Sequence, residues 1–508
     1  MTEFNFLASL PSVAPEIGLT ILGAVVLLLI SYLPKEQARN IAYVSALGMG
    51  VIALTPFIWF APVESTLMWG GMIRFDIFSQ IFKVMILLAG AITSLMALDD
   101  AGVGPRPEFH LVIIVATLGG TLMASAADLV MLFIALETLS IPLYVLAAFS
   151  HRDGRSSESG LKYFLFGSFA SAILLYGLSL LYGFAGTTSL DGIAAVLRDG
   201  VPLLPVVSSL LMVLVGFGFK ISAVPFHFWT PDVYEGAPTP VTAFISVASK
   251  AASFALLVRF LSSVFPVGLE IDGQAVHNFW TVTFAVLAVL SMTLGNVMAL
   301  RQTNIKRLLA YSSIAQAGYT LMGVAALQAT TTIGQELAVA SVAFYMFMYT
   351  FTNLLMFTGV VLVSESIGSE KISDYAGLQR RNPWLALALT VGLLSLGGIP
   401  PAAGFFGKLF LFQAAVEAGL VLLAIIGVLN AIVALYYYLV VIKVMYVDHH
   451  PDEEKTFGIS RSYSWALGLT SVIVILLGTI AVTPVIDWAR SSAAAITQAA
   501  QAILATGL

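Results

Sequence analysis

The stretch LVGFGFKISAVPFHFW, residues 214–229, decides the fold. Lys220 closes a long apolar run, and Pro225 follows it closely. Proline removes a backbone donor and disrupts a helix. Within a bilayer the freed groups must be met by protein or by water inside a bundle. The stretch therefore reads as an interrupted membrane helix with a charge at the interruption. The rest of the chain has the same character. Of 508 residues, 59% are hydrophobic and 10% charged, with a mean hydropathy of +0.95, whereas a soluble domain carries roughly 25% charged residues. So little charge cannot cover a soluble surface, which excludes a soluble enzyme. The net charge of −5 gives no basic footprint for nucleic acid. With no cysteine there are no disulfides, thiolate metal sites or iron–sulfur ligands.

Crossing the hydrocarbon core takes about 20 apolar residues. Outward from the opening stretch (203–226), spans read at 14–33, 40–61, 75–98, 108–126, 127–149, 160–187 and 239–264, then at 277–298, 304–327, 333–364, 384–417, 419–446 and 463–488. The fold class is an all-α polytopic membrane protein of about fourteen helices. No basic residue precedes the first span and no small-residue cleavage site ends it, so it does not read as a signal peptide. With the N-terminus outside, the inside receives Lys35, Arg39, Arg106, Arg152, Arg155, Lys162, Arg301, Lys306, Arg307, Lys371, Arg380, Arg381, Lys443, Lys455 and Arg461. The outside receives Arg74, Arg198, Arg259 and Arg490. This asymmetry follows the positive-inside rule and puts both termini outside.

Four of the 23 basic residues remain within spans: Lys83, Lys220, Lys250 and Lys408. A charge at the bilayer centre costs roughly 2.5–3.5 kcal/mol on insertion scales, so such residues pair or line a water path. Desolvation disfavours the ammonium form of a lysine and a neighbouring carboxylate favours it, which makes a buried lysine a switchable proton site. Glu137, in MLFIALETLSIP (131–142), sits near mid-depth; it is either that carboxylate or a structural, hydrogen-bonded one. Lys250, in VTAFISVASKAASFALLVRF (241–260), is surrounded by small residues that leave room for water. It is too deep to be the interfacial anchor of its helix, a part that suits Arg259. Lys408 follows a second interruption, Gly397, Gly398, Pro400, Pro401 and Gly404, in SLGGIPPAAGFFGKLFLFQAA (395–415). Lys83, nearer the outer end of its span, reads as a snorkelling residue. His227 either satisfies the broken backbone or relays protons.

Other features are read as structural. Gly216 and Gly218 lack the third glycine of a dinucleotide fingerprint, and the histidines lack metal-ligand spacing. The stripe SVAFYMFMYTFTNLLMF (341–357) reads as core packing, although Tyr349 and Asn353, four apart, could line a water path. DHHPDEEK (448–455) reads as a solvated loop. The interrupted spans are the seventh and the twelfth. Their odd separation predicts two inverted five-helix repeats, 108–264 and 277–446, with an N-terminal three-helix segment at 1–107 and a C-terminal loop and span at 447–508. Transporters of this design put ion sites at discontinuous helices.

FKISAVPFHFWTPDVYEGAPTPVTAFISVASKAASF (219–254) resembles the antiporter-like membrane subunits of respiratory complex I, the NADH:quinone oxidoreductase of the respiratory chain. WTPDVYEGAP (229–238) is like the subunit N type. LKYFLFGSFASAILLYGLSLLYG (161–183), GNVMALRQTNIKRLLAYSSIAQAGYTLMG (295–323) and GIPPAAGFFGKLFLF (398–412) are similar to the same type. The resemblance implies fourteen helices with two inverted repeats. It implies that Glu137 pairs with Lys220, that Lys250 is the connecting lysine, and that Lys408 lies near the exit. M-type relatives carry a glutamate at that last position, and the L type adds a long lateral helix beyond the end seen here.

The implied activity is a translocase: NADH-to-quinone electron transfer drives protons outward across a bacterial inner membrane. This chain holds no cofactor. Flavin, iron–sulfur clusters and quinone belong to partner subunits, and the nearest partners are other antiporter-like subunits and the bilayer. The alternatives are an Mrp-type cation/proton antiporter subunit, working without redox partners, and a passive scaffold whose charges only hold helices together.

Overall fold

Several of the helices begin where the sequence sets a short polar side chain before an apolar run. The structure, a computed structural model, describes residues 6–34, 37–59, 65–100, 102–151, 153–198, 201–451 and 456–506. Of the basic residues assigned to the inside, Lys35, Arg152 and Lys455 lie outside the described residues, as does the end of DHHPDEEK, 452–455.

In chain order the long helices are α1 (Ala14–Tyr32), α2 (Ala38–Ile52), α3 (Ile77–Ala97), α4 (Glu108–Ser125), α5 (Leu129–Ala147), α6 (Gly154–Ala185) and α7 (Leu203–Ile221). A short α8 (Trp229–Gly236) leads into α9 (Thr239–Val264). Then come α10 (Val276–Ala299), α11 (Ile305–Ala325), α12 (Thr332–Ile367), α13 (Pro383–Gly397), α14 (Ala403–Glu417), α15 (Val421–Tyr446), α16 (Arg461–Leu477) and α17 (Val482–Thr506). Asp76 caps α3 through Ser79 N at 2.8 Å, Asp128 caps α5 through Val130 N at 2.8 Å, and Asn304 caps α11 through Lys306 N at 2.8 Å. Each side-chain oxygen accepts one of the amide donors that a helix start leaves unpaired. Two small hairpins, Thr66–Met68 with Ile73–Phe75 and Glu270–Ile271 with Gln274–Ala275, are the strand pairs among the described residues.

The bundle has a definite centre. The apolar window of α9 is 100% buried, against 28% for the first span. α9, α12 and α3 pack on one another and are buried on nearly all sides, and mostly apolar as interior helices are. α9 also contains a feature the sequence reading did not anticipate, a π-helical stretch at Ile245–Ser249 immediately before Lys250.

The span count differs from the sequence expectation. By length and composition eleven described helices can cross a membrane, or twelve if the bent pair Ser462–Leu477 and Val482–Thr497, at 80°, is one span. The shortfall falls on three expected spans. α11 is long enough at 21 residues, but Ser312, Ser313, Gln316 and Thr320 make it too polar. The span expected at 384–417 is two 15-residue helices, α13 and α14. The span expected at 463–488 breaks after Leu477, where Gly478 packs so closely on the backbone of Pro401 and Ala402 that a Cβ would collide with it. The chain after that break continues as α17, which packs on α12.

Two charges are corrected. Lys83 does not snorkel: it is 0% accessible, and its ammonium binds Glu16 Oε1 at 2.9 Å and the Ser12 carbonyl at 2.9 Å. α3 is an interior helix, so no interface lies within reach and the counter-charge comes from α1. Arg259 is not an interfacial anchor. It is 1% accessible and grips Asp76 with two hydrogen bonds of 2.8 and 3.0 Å, beneath the carbonyl of Ala124 at 3.2 Å. Removing one member of a buried pair strands the other charge, at about 3–5 kcal/mol. Arg259→Leu is therefore expected to lower the thermal stability of the assembled protein sharply, and adding Asp76→Asn to recover part of the loss. Melting curves of detergent-extracted protein check this; equal stability of the single variant and the wild type overturns it.

Candidate functional site

Three lysines inside the bundle are held by neutral oxygens, each at an irregularity of its helix. Lys220 ends α7, where Ser222 adopts a left-handed φ of 63° and the chain leaves the helix before Pro225. It is 3% accessible, and its ammonium donates to Ser140 Oγ on α5 at 2.5 Å. The rings of Tyr144 and Phe219, at 5.3 and 5.6 Å, face the cation and attract it through their π-electron quadrupoles. Glu137 lies one turn before Ser140 on α5, partly buried, and accepts from Ser171 Oγ of α6 at 2.6 Å. No ion pair joins Lys220 to Glu137; the ammonium meets α5 at Ser140, one turn beyond the carboxylate. Pro142 in α5 removes the amide that would bond the Thr138 carbonyl, loosening the ladder at this point.

Lys250 follows the π-helical stretch at the bundle centre. Its ammonium donates to the Ser313 carbonyl at 2.8 Å and to Ser313 Oγ at 2.5 Å, and the Tyr234 hydroxyl lies 3.2 Å from the same Oγ. Single-turn π-bulges cluster at functional sites in other helices. The Tyr163 ring faces the Lys220 ammonium at 5.9 Å and stacks on Trp229 at 4.5 Å. The Tyr163 hydroxyl and Ser249 Oγ are buried and have no hydrogen-bond partner among the described residues.

Lys408 sits in α14 with its ammonium turned back onto the end of α13, donating to the carbonyls of Leu396 at 2.8 Å and Gly397 at 3.2 Å. These are carbonyls that a helix end leaves unpaired, at the negative pole of its dipole. Gly398, at φ 81°, makes the turn. At Gly404 a Cβ would collide with the Ser395 carbonyl, so glycine lets the two half-helices meet. The Tyr319 ring lies 4.8 Å below the ammonium.

α11 joins the second and third lysines. Ser313 faces Lys250, while its neighbour Ser312 lies 2.5 Å from the Tyr438 hydroxyl. Gln316, one turn on, donates to Tyr438 at 3.2 Å and to the Leu396 carbonyl at 3.2 Å, the same oxygen that Lys408 holds. Tyr345 donates to Gln316 Oε1. Polar side chains therefore run from Lys250 to Lys408 through the bundle interior. Sequence reading missed Ser140, Tyr234, Ser312, Ser313, Gln316 and Tyr438. The signal for the three on α11 was YSSIAQAGYT (311–320), an unusually polar run within an expected membrane span.

The remaining candidates fall beside this line. His227 is partly buried in the turn after α7, with Nδ1 unpartnered among the described residues, and no hydrogen bond joins it to the lysines. Tyr349 and Asn353 interrupt the expected apolar stripe: Asn353 donates to the Tyr349 hydroxyl at 3.1 Å and to Ser246 of the π-helical stretch at 2.7 Å. In WTPDVYEGAP the turns of α8 divide the work. Tyr234 points in to Ser313, whereas Asp232 and Glu235 hold Arg307 at 2.9 and 2.8 Å, and Asp232 also holds Lys162 at 2.7 Å. Partial burial pushes the Asp232 carboxyl up, but the hydrogen bonds and charges of Lys162 and Arg307 more than reverse this and leave it below its ordinary value. Among the described residues no group of three or more His, Asp or Glu could hold a metal ion.

Known proteins share this architecture. The sequence profile of the family described as "NADH:quinone oxidoreductase/Mrp antiporter, TM" matches residues 126–434, which contain Glu137 and all three lysines. The chain is 46% identical over 447 residues to NAD(P)H-quinone oxidoreductase subunit 2 of Nostoc punctiforme, covering 86% of this chain and 80% of the relative. It is 41% identical over 492 residues to NADH-quinone oxidoreductase subunit N of Moorella thermoacetica, covering 96% and 99%. A chain in the structure of respiratory complex I from Thermus thermophilus with bound aureothin superimposes with a TM-score of 0.74 at 31% identity, over 93% of this chain and 98% of that one. More than half the chain matches the family profile, and the relatives align nearly end to end: the protein belongs to the NADH:quinone oxidoreductase/Mrp antiporter membrane family.

Proposed function

We propose that this protein is the subunit N type of antiporter-like subunit in an NADH:quinone oxidoreductase, and that Glu137, Lys220, Lys250 and Lys408 carry its protons. One observation carries the residue assignment: three lysines buried in the bundle are bound by hydroxyls and carbonyls instead of carboxylates. An ammonium so held keeps its charge only while those dipoles face it, and can give up its proton when they turn away.

The membrane architecture in this reading has fourteen spans. α11, the pair α13 and α14, and the bent pair α16 and α17 supply the three beyond the eleven helices of sufficient length and apolarity. Residues 108–264 and 277–446 are the inverted repeats, broken after α7 and between α13 and α14, with 1–107 and 447–508 flanking them. The basic face is the cytoplasmic side of a bacterial inner membrane, and both termini are periplasmic. Flavin, iron–sulfur clusters and the quinone site belong to partner subunits, and neighbouring antiporter-like subunits flank this one.

In the cycle, Glu137 approaches Lys220 across Ser140 and holds the proton there. When the carboxylate withdraws, the proton leaves through water at Tyr163 and Ser249 to Lys250, with His227 a relay at the break. It then crosses α11 by way of Ser313, Ser312 and Tyr438 to Lys408 and is released outside. Gln316 positions this crossing, since an amide holds hydroxyls in place but does not readily pass protons. An Mrp-type antiporter would share the lysines, but the relatives of 41–46% identity carry quinone oxidoreductase names. A passive scaffold would have no need of lysines without carboxylate partners.

Two results test this reading. Lys220→Met in the assembled complex is expected to lower NADH-driven acidification of inverted membrane vesicles about twofold or more, because the step served by a lost acid–base group slows. Wild-type acidification per assembled complex sinks the proposal, and impaired assembly with intact pumping favours the scaffold. Gln316→Leu removes the partner of Tyr345, Tyr438 and Leu396. It is expected to cost about 1–3 kcal/mol of stability, as for stranded buried polar groups, and to slow pumping; an unshifted melting temperature with full pumping contradicts it.

A further inference from the structure

A cavity of about 520 Å³ opens on the basic face, between the α10–α11 junction, the segment around Ser373, and α15. Lys371, Ser373, Asp448 and His449 line its mouth, and Tyr437 lines it further in. The Tyr437 side chain is buried, and its hydroxyl donates to Asn296 Oδ1 at 3.0 Å. The amide nitrogen of Asn296 donates to the Tyr319 hydroxyl at 3.4 Å and to the Asn430 carbonyl at 3.0 Å. Tyr319 is the ring lying 4.8 Å below the Lys408 ammonium. Tyr437 also packs on Tyr438 at 4.4 Å between ring centres, and Tyr438 belongs to the crossing at α11.

Hydrogen bonds therefore run from the cavity to the Tyr319 hydroxyl, whose ring faces Lys408, and they do not pass through Lys220 or Lys250. Amide pairs between membrane helices often serve only as glue, and Asn296 with Asn430 does join α10 to α15. Glue does not require a cavity open to the basic face, nor tyrosine hydroxyls extending the amides from that cavity to the ring that faces a buried lysine.

We propose that this cavity is a second proton inlet, which loads Lys408 directly from the basic face. A proton delivered to the Tyr437 hydroxyl oxygen releases the proton that the hydroxyl already carries, so the tyrosine is neutral before and after. Water passes the released proton along Asn296 and Tyr319 to the unprotonated amine of Lys408, which becomes ammonium. Asn296 is a positioning residue that fixes the two hydroxyls at the ends of one amide. The inlet rests on the role given to Lys408 above, and the experiment separates the two.

The chain has no cysteine, so Ser373→Cys places its sole thiol at the cavity mouth. Complexes carrying Ser373→Cys, Tyr437→Phe or Lys408→Met are compared in inverted membrane vesicles for protons moved per NADH oxidised. The wild-type complex treated with the same bulky methanethiosulfonate reagent controls for thiols elsewhere. Labelling Ser373→Cys is expected to lower the ratio about twofold relative to the same unlabelled variant, and Tyr437→Phe to lower it similarly. Labelling acts on an assembled complex, so its result stands even where Tyr437→Phe disturbs assembly. An unchanged ratio after labelling overturns the inlet, and if Lys408→Met still lowers the ratio, the role of Lys408 survives. A wild-type ratio in Lys408→Met overturns both.

Discussion

The structure depends on one constraint: inside a bilayer every charge and every unpaired backbone group must find its partner within the protein. The chain meets it in two ways. At Asp76 with Arg259 and at Glu16 with Lys83, opposite charges meet directly and are both buried. At Lys220, Lys250 and Lys408 the partners are a hydroxyl, a backbone carbonyl, or two carbonyls of a helix end. Direct pairs are locked, because separating them strands two charges at once. Neutral partners hold a cation less tightly and tolerate its loss. The same constraint therefore yields structural ties in one place and, in the proposed cycle, exchangeable proton sites in another, and the partners differ accordingly.

The broken helices follow from this. A continuous helix spends its carbonyls on its own ladder. A helix that stops within the membrane leaves its last carbonyls unpaired and turns its negative pole inward. Lys408 occupies such an end, and Gly398 and Gly404 let the second half-helix bring it there. Lys220 belongs to the last turn of its own broken helix, so it cannot use that end in the same manner, and it reaches instead to Ser140 on the next helix. The π-helical stretch before Lys250 is a third local irregularity, smaller than a break.

Much of this was legible in the residues. Lysines in apolar runs beside proline and glycine marked the interruptions, and WTPDVYEGAP with its neighbours carried the family. Sequence could not say which helices are central. Lys83 and Arg259 were misread because the lengths and compositions of α3 and α9 do not reveal that both are enclosed on all sides. Length and hydropathy alone do not register segments that are short, bent or polar: α11 is polar because protein encloses it, whereas α13 and α16 are short and expose Trp384 and Trp465. The polar crossing at α11 was hidden because its members come from helices far apart in the chain: Ser312 and Tyr438 are separated by 126 positions.

The polarity of α11 is itself an argument. A helix with Ser312, Ser313, Gln316 and Thr320 at its middle is a poor membrane segment alone, and it is tolerated because it is buried on nearly every side. Its serines are adjacent, so they point in different directions around the helix, one toward Lys250 and the other toward Tyr438. Two apolar residues there would insert more readily, but Lys250 would lose Ser313 Oγ and keep only the backbone carbonyl, and the Tyr438 hydroxyl would lose Ser312. The sequence accepts a weaker helix where the interior needs oxygen and amide groups, and that choice keeps the two buried lysines within reach of one another.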